Sequence, residues 1–134
     1  MRAWSGRRWA GVAYGAMVAV FCLRAGEPDQ SWWWLLAVPF ALWIASPVVV
    51  GLHLWRHLAS GAVRALYGAL LAAAALGGFG LQWHAMFIGP SDAQNALVLL
   101  FVPLYQRGAI GLAFAFCKIL DRFRARPERG RAEQ

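Results

Sequence analysis

Apolar residues occur in four long runs along this chain, separated by short polar or charged segments. The runs cover residues 9–23, 32–54, 65–88 and 96–119. A helix that crosses a bilayer needs about 20 residues at a rise of about 1.5 Å each, so the last three runs are long enough. The pattern predicts transmembrane helices rather than the core of a soluble domain.

The first run is the shortest, because only 15 uncharged residues separate Arg8 from Arg24. It can still cross a bilayer if the two arginines extend their side chains to opposite interfaces. We therefore predict an all-α membrane protein with four transmembrane helices in an up-down bundle. The predicted spans are approximately residues 9–24, 32–54, 63–88 and 94–119.

The composition supports a membrane protein. Of the 134 residues, 60% are hydrophobic and only 14% are charged, whereas about a quarter of a soluble domain is charged. The segments between the predicted helices are short, and the basic tail at 120–134 is too short to form a domain of its own. We predict a single integral-membrane domain over residues 1–134, without a soluble catalytic domain.

The first run could instead be the apolar part of a secretory signal peptide, since it follows three arginines. A cleavage site needs small residues, but the stretch CLRAG places Leu23 and Arg24 there. We therefore expect the first helix to remain in the mature protein.

Cations are distributed unequally among the segments outside the predicted spans. The N-terminus, the second loop and the tail are rich in arginine, whereas the first and third loops carry more acids than cations. Short cation-rich segments stay in the cytoplasm, so both termini are predicted to be cytoplasmic, most naturally at a bacterial inner membrane. The net charge of +7 is then explained by the orientation of the chain in the membrane and by attraction of the basic tail to anionic lipid. No nucleic-acid partner is expected.

Small residues recur at helical spacing in the first and fourth spans. In a bilayer, close approach of two helix backbones replaces the hydrophobic driving force, so such positions are typical of helix contacts. The candidate helix-packing residues are Gly11, Gly15, Ala19, Gly108 and Gly111. Packing within the chain and packing against a second copy both remain open.

A charged residue, Arg107, lies inside the fourth predicted span. It follows Asp92 by 15 residues and precedes Lys118 by 11, which places it about 22 Å and about 16 Å from the two helix ends. A charge near the midplane costs about 2.5–3.5 kcal/mol, so we expect other groups to compensate it.

No carboxylate lies in a predicted span, so Arg107 needs other partners. Pro47 and Pro103 lack an N–H and free the carbonyls of Trp43 and Leu99 as acceptors. The candidate intramembrane polar residues are Arg107, Gln106, Tyr105, Gln82 and His84, with the hydroxyls of Tyr14 and Tyr67 as further partners. Three roles remain open for Arg107: a structural hydrogen-bond hub, a contact with an anion or water pathway, and a contact with an acidic residue of another protein.

Other candidate chemistry is sparse. His53 and His57 have a spacing that can hold a metal ion, but the sequence offers no third ligand. Cys22 and Cys117 are predicted at opposite membrane faces, too far apart for a disulfide. Because no catalytic constellation or phosphate-binding loop is visible, we expect neither an enzyme nor a bound cofactor.

Two functional hypotheses follow. In the first, the protein acts by association with a partner membrane protein, as an accessory subunit, assembly factor or immunity or exclusion protein would. In the second, it is a small oligomeric channel or transporter with Arg107 on an anion or water pathway. The absence of soluble domains favours the first hypothesis, and the scarcity of polar residues in the predicted spans counts against the second.

Overall fold

The structure is a computed structural model, which describes residues 3–89 and 93–132. Those residues form four α-helices and no strand. The helices are α1 (Ala3–Ala25), α2 (Ser31–Trp55), α3 (Gly61–Phe87) and α4 (Ala93–Ala132). The predicted all-helical fold is confirmed.

Three of the helices are long and apolar enough to cross a membrane. The candidate spans are Ser31–Trp55, Gly61–Phe87 and Leu97–Arg124, whereas the apolar part of α1, Trp9–Ala25, is shorter. The membrane character of the chain is therefore supported by three helices. A membrane span formed by α1 remains a prediction, which agrees with the marginal length of the first apolar run.

Helix α4 continues well beyond residue 119, where the predicted span ends, and reaches Ala132. Hydropathy marks where a helix can leave the hydrocarbon, but it does not mark where the helical backbone ends. The segment after residue 119 is rich in arginine, which is a good helix former although it is charged. Part of the predicted basic tail is therefore an extension of α4.

Consecutive helices run antiparallel, and α2 and α4 run parallel to each other. Trp43 of α2 contacts Leu100 of α4, and His57, just after α2, contacts Lys118 further along α4. The contacts occur in the same order along both segments. Helix α2 packs against all three other helices, whereas the main contact of α1 is with α2. The fold is therefore a group of three mutually packed helices, α2 to α4, with α1 at its edge.

The end of the bundle formed by residues 56–60 and 118–124 carries several cations, and we call it the basic end. Here the buried carboxylate of Asp121 accepts hydrogen bonds from the backbone N–H groups of Ala59 (2.8 Å) and Ser60 (2.9 Å). Lys118 donates to the carbonyl of His57 at 2.5 Å. The end of the span in α4 is thereby attached to the loop that precedes α3.

The core has two clusters. One cluster, near the opposite end, is rich in aromatic rings and includes Tyr14, Phe21 and Phe79. The other lies toward the basic end around Tyr67, whose hydroxyl donates to the carbonyl of Gly51 at 3.2 Å. Tyr67 therefore links α3 to α2 and is not a partner of Arg107.

Candidate functional site around Arg107

Arg107 lies on the side of α4 that faces α2, and its side chain is half-buried. The guanidinium carbon is 4.4 Å from the centroid of the Trp43 ring. One terminal nitrogen donates a hydrogen bond to the hydroxyl of Ser46. A cation at this distance from an indole face is attracted by the ring. Both partners of Arg107, the Trp43 ring and the Ser46 hydroxyl, therefore lie on one turn of α2.

The sequence around Pro47 explains why these α2 groups are available. Proline has no N–H, so the Trp43 carbonyl loses its usual helical donor. The Ser46 hydroxyl donates to that carbonyl at 2.5 Å, which leaves its lone pairs free to accept from Arg107. The Trp43 indole N–H donates to the Leu100 carbonyl of α4 at 3.1 Å and thereby holds the ring in place.

The free energy that these contacts contribute is comparable with the free-energy cost of burying the Arg107 charge. A cation–π contact contributes up to about 2 kcal/mol where water is excluded, and a hydrogen bond to a charged group contributes about 1.5–3 kcal/mol. The cost at the midplane is about 2.5–3.5 kcal/mol. Trp43 and Ser46 can therefore accommodate Arg107, but both are neutral, and its Nε has no hydrogen-bond partner among the described residues.

The sequence predicted the availability of the Trp43 carbonyl but missed the Trp43 ring and the Ser46 hydroxyl as the groups that contact Arg107. Serine directly before a helical proline was the available signal, because its hydroxyl can satisfy the carbonyl that the proline leaves free. The contact with the indole depends on the register of α2 against α4, which the sequence alone does not provide.

Gln106 is buried on the other side of α4, against α3. Its amide nitrogen donates to the Ala74 carbonyl at 2.8 Å. A Cβ at Gly78 would lie 2.0 Å from the Gln106 amide nitrogen, so a larger residue there would have to displace the Gln106 side chain. Gln106 and Arg107 are thus neighbours in sequence that fasten α4 to different helices.

The other predicted polar residues do not join the site. Tyr105 is 73% exposed on the outward side of α4. Gln82 is fully buried in α3, and neither atom of its amide has a hydrogen-bond partner within the described part of the chain. The buried hydroxyl of Tyr14 makes no well-formed hydrogen bond there, although it interacts with the Gln106 side chain. His84 is exposed near the end of α3.

The glycines predicted to pack helices have different surroundings. A Cβ at Gly11 would lie 3.3 Å from Leu52, so this position takes part in the contact between α1 and α2. At Gly15, Gly108 and Gly111 the structure places no such atom within 4 Å, and Ala19 is exposed. Helix packing at these four positions remains a prediction that would require another molecule.

The two histidines at the basic end have no metal-binding arrangement around them. The rings of His53 and His57 are 5.6 Å apart, and an Arg56 nitrogen lies 2.7 Å from the Nδ1 atom of His53. No group of three or more possible ligands occurs within residues 3–89 and 93–132. Cys22 and Cys117 are free and belong to different core clusters.

No protein-family model, curated protein or solved structure matches this chain. The four helices, three of them long and apolar enough to cross a membrane, define the class as a helical membrane protein. Its function has to be argued from the surroundings of Arg107.

Proposed function

We propose that this chain is a small, non-enzymatic membrane protein with four transmembrane helices that acts by associating with a partner membrane protein. An accessory subunit, an assembly factor and an immunity or exclusion protein all act in this way. The observation that carries the proposal is the position of Arg107. Its charge is accommodated by neutral groups at the border of an outward face of α4.

We call this surface the open α4 face; its members are Tyr105, Gly108, Gly111, Leu112 and Ala115, all exposed. At the two glycines a Cβ would meet no atom within 4 Å. The surface can therefore receive another helix at close range, which is the geometry that favours association in lipid.

Arg107 borders this face. Gly111 follows it by one helical turn and lies on the same side of α4, whereas Gln106 and Ile110 point into the bundle. A helix that packs on the glycines would therefore pass close to the guanidinium. Its Nε is buried without a hydrogen-bond partner among the described residues, so the groups around Arg107 satisfy the guanidinium only in part.

We propose that the partner supplies a carboxylate. Among the described residues, the buried acid Asp121 already accepts two backbone hydrogen bonds at the basic end, and Glu27 and Asp29 lie in the loop between α1 and α2. An acidic residue on a partner helix would neutralise Arg107 in a medium where an unpaired charge is expensive.

The proposed topology has four spans and cytoplasmic termini. Its support is the concentration of cations at the basic end and the antiparallel packing of α1 on α2. With 23 residues, α1 is about 35 Å long, which is sufficient to cross if its ends reach the interfaces.

Site-specific photo-cross-linking tests the proposed association. A photoreactive residue at Leu112, on the open α4 face, should capture a membrane protein, whereas one at Leu81 of α3, which is similarly exposed, should not. Arg107→Gln should reduce the Leu112 product, with Arg124→Gln as the control at an exposed cation.

A second pair of variants separates surface fit from charge. Gly108→Leu should abolish capture because it removes the close approach, while Gly80→Leu, at another glycine without a near neighbour, should not. A product with the mass of two copies of this chain would identify the partner as a second copy. Equal capture at Leu112 and Leu81, or none at either, would contradict the proposal.

The transport alternative has no comparable support in the described residues. The cavity between α1, α2 and α3 is lined by apolar side chains, and Arg107 does not line it. Arg107 is instead covered on one side by the Trp43 ring.

A further inference from the structure

Three polar side chains are buried inside the bundle, one each from α1, α3 and α4, and we call them the polar core. They are Tyr14, Gln82 and Gln106, each more than nine-tenths buried. Within the part of the chain that the structure describes, four of their polar atoms have no well-formed hydrogen bond: the Tyr14 hydroxyl, both atoms of the Gln82 amide and Oε1 of Gln106. A buried polar atom without a partner is costly, and native proteins pair most such atoms with protein groups or with ordered water.

The orientation of the Gln106 amide leaves one acceptor free. Its nitrogen donates to the Ala74 carbonyl at 2.8 Å, so Oε1 is the atom without a partner. The Tyr14 side chain interacts with Gln106, although its hydroxyl forms no well-formed hydrogen bond among the described residues. Tyr14 and Gln106 are therefore neighbours whose hydrogen-bonding capacity is not used up.

Gln82 lies one helical turn after Gly78, on the same side of α3. A Cβ at Gly78 would lie 2.0 Å from the Gln106 amide nitrogen, so Gln106 packs directly on this side of α3. Side chains on a helix lean toward its N-terminus, which directs the Gln82 amide toward Gly78 and Gln106. Phe79, the residue after Gly78, contacts the Tyr14 ring at 6.3 Å between centroids. The three polar side chains therefore converge on one layer of the bundle.

The chemistry of the unpartnered atoms indicates which molecule fits between them. The Gln82 amide provides a donor and an acceptor, Gln106 provides an acceptor, and the Tyr14 hydroxyl does both. An anion would be repelled by the acceptor oxygens, and a cation would leave the amide donor without a partner. A buried water molecule both donates and accepts, and makes about three hydrogen bonds. The complete burial of Gln82 favours this smallest of polar molecules.

We propose that the polar core is a binding site for internal water, which bridges the Gln82 amide to Oε1 of Gln106 and to the Tyr14 hydroxyl. The bridge links α1, at the edge of the bundle, to α3 and α4. Gln106 faces the interior, on the side of α4 away from the open α4 face. The site does not depend on the association proposed there, so either proposal can fail without the other.

Radiolytic hydroxyl-radical labelling of the full chain in mild detergent, read by mass spectrometry, tests the site, because a buried ring is oxidised where water lies next to it. The matched tyrosine is Tyr67, which is also buried but whose hydroxyl donates to the Gly51 carbonyl. Tyr14 should be labelled several-fold faster than Tyr67. Gln82→Leu should reduce the labelling of Tyr14 several-fold, whereas Gln30→Leu, at an exposed glutamine, should leave it unchanged.

Thermal unfolding gives a second, independent readout. If the Gln82 amide had no partner, Gln82→Leu would remove a buried polar group and raise the melting temperature. Because we expect the amide to be bonded to water, this variant should melt lower. Tyr14→Phe should also melt lower, and the two losses should add to less than their sum since both groups bond the same water. Tyr105→Phe, at an exposed tyrosine of α4, should have no effect in either background.

Three results would overturn the proposal: equal labelling of Tyr14 and Tyr67, a higher melting temperature of Gln82→Leu, or additive losses in the double variant. Tyr14 also lines the cavity between α1, α2 and α3. Tyr14 labelling that persists unchanged in Gln82→Leu would come from that cavity and would equally refute the site. Gln106→Leu, which removes the Oε1 acceptor, should lower Tyr14 labelling in the same way and replaces Gln82→Leu if that variant does not fold.

Discussion

At the scale of single residues, the structure shows how Arg107 is accommodated although no acidic side chain of the described residues pairs with it. The charge rests on the ring of Trp43 and on the hydroxyl of Ser46. Apolar run lengths in the sequence located Arg107 at mid-span, and the free carbonyl before Pro47 was predictable from backbone chemistry. The two contacting side chains were not predictable, because they depend on which turn of α2 lies beside α4.

The contact between Arg107 and Ser46 should appear as an energetic coupling. Ser46→Ala removes an acceptor from a charged donor and should lower the free energy of unfolding by about 1–3 kcal/mol. The same change in an Arg107→Leu background should cost less, with a coupling of about 1 kcal/mol. Reversible unfolding in mixed micelles gives the free energy of unfolding of the unchanged protein, the two single variants and the double variant. Additive effects of the two substitutions would show that the side chains do not act together.

Within the run GGFG, Gly78 should be the glycine at which substitution by alanine lowers stability. Gly78→Ala forces the Gln106 amide away from its position and should cost about 1–3 kcal/mol. Gly77→Ala, at the preceding residue where a Cβ meets nothing within 4 Å, should be nearly neutral. The sequence showed the glycines but could not distinguish them, since the effect of a Cβ at Gly78 depends on the position of the Gln106 side chain. Equal thermal stabilities of the two variants would contradict this explanation.

At the scale of whole elements, the helices lie where the apolar runs predict them. The end of α4 and the contacts that attach one helix to another were not predicted. Long apolar runs specify α2 and α3 almost completely, whereas α4 continues into its charged extension as far as Ala132. The sequence places Asp121 outside the predicted spans and indicates no role for it. It proves to be a buried link between α4 and the backbone ahead of α3, an attachment that depends on contacts more than 60 residues apart in sequence.

This link predicts a specific loss of stability. Asp121→Ala removes both acceptors and should lower the melting temperature, while Asp121→Asn should have an intermediate effect because its amide provides one acceptor oxygen. Asp29→Ala, at an exposed acid of the first loop, is the control and should have no effect. Circular dichroism melts in detergent provide the comparison. If the Asp121 and Asp29 variants melt alike, the hydrogen bonds at Ala59 and Ser60 contribute nothing measurable.

At the scale of the whole molecule, the sequence predicted the class of protein and left the arrangement of its helices open. Composition and run length were sufficient to indicate a helical membrane protein. They could not show that α2 contacts every other helix or that α1 lies at the edge, because lipid-facing and helix-facing positions are both apolar in this environment.

The topology makes a prediction for the complete chain. Reporter fusions at both termini should be active only on the cytoplasmic side, and a reporter inserted in the loop at 26–30 should be active on the opposite side. The loop at 56–60 serves as the internal control, since it is predicted to share the side of the termini. A loop at 26–30 on the same side as the N-terminus would reduce the spans to three.

The peripheral position of α1 also bears on biosynthesis. This helix precedes α2 along the chain, its apolar segment is shorter than those of the other three helices, and its main contact is with α2. If α1 crosses the bilayer as we propose, its stable integration therefore depends on the emergence of α2. Within this pair, the earlier helix is secured only when the later one is in place.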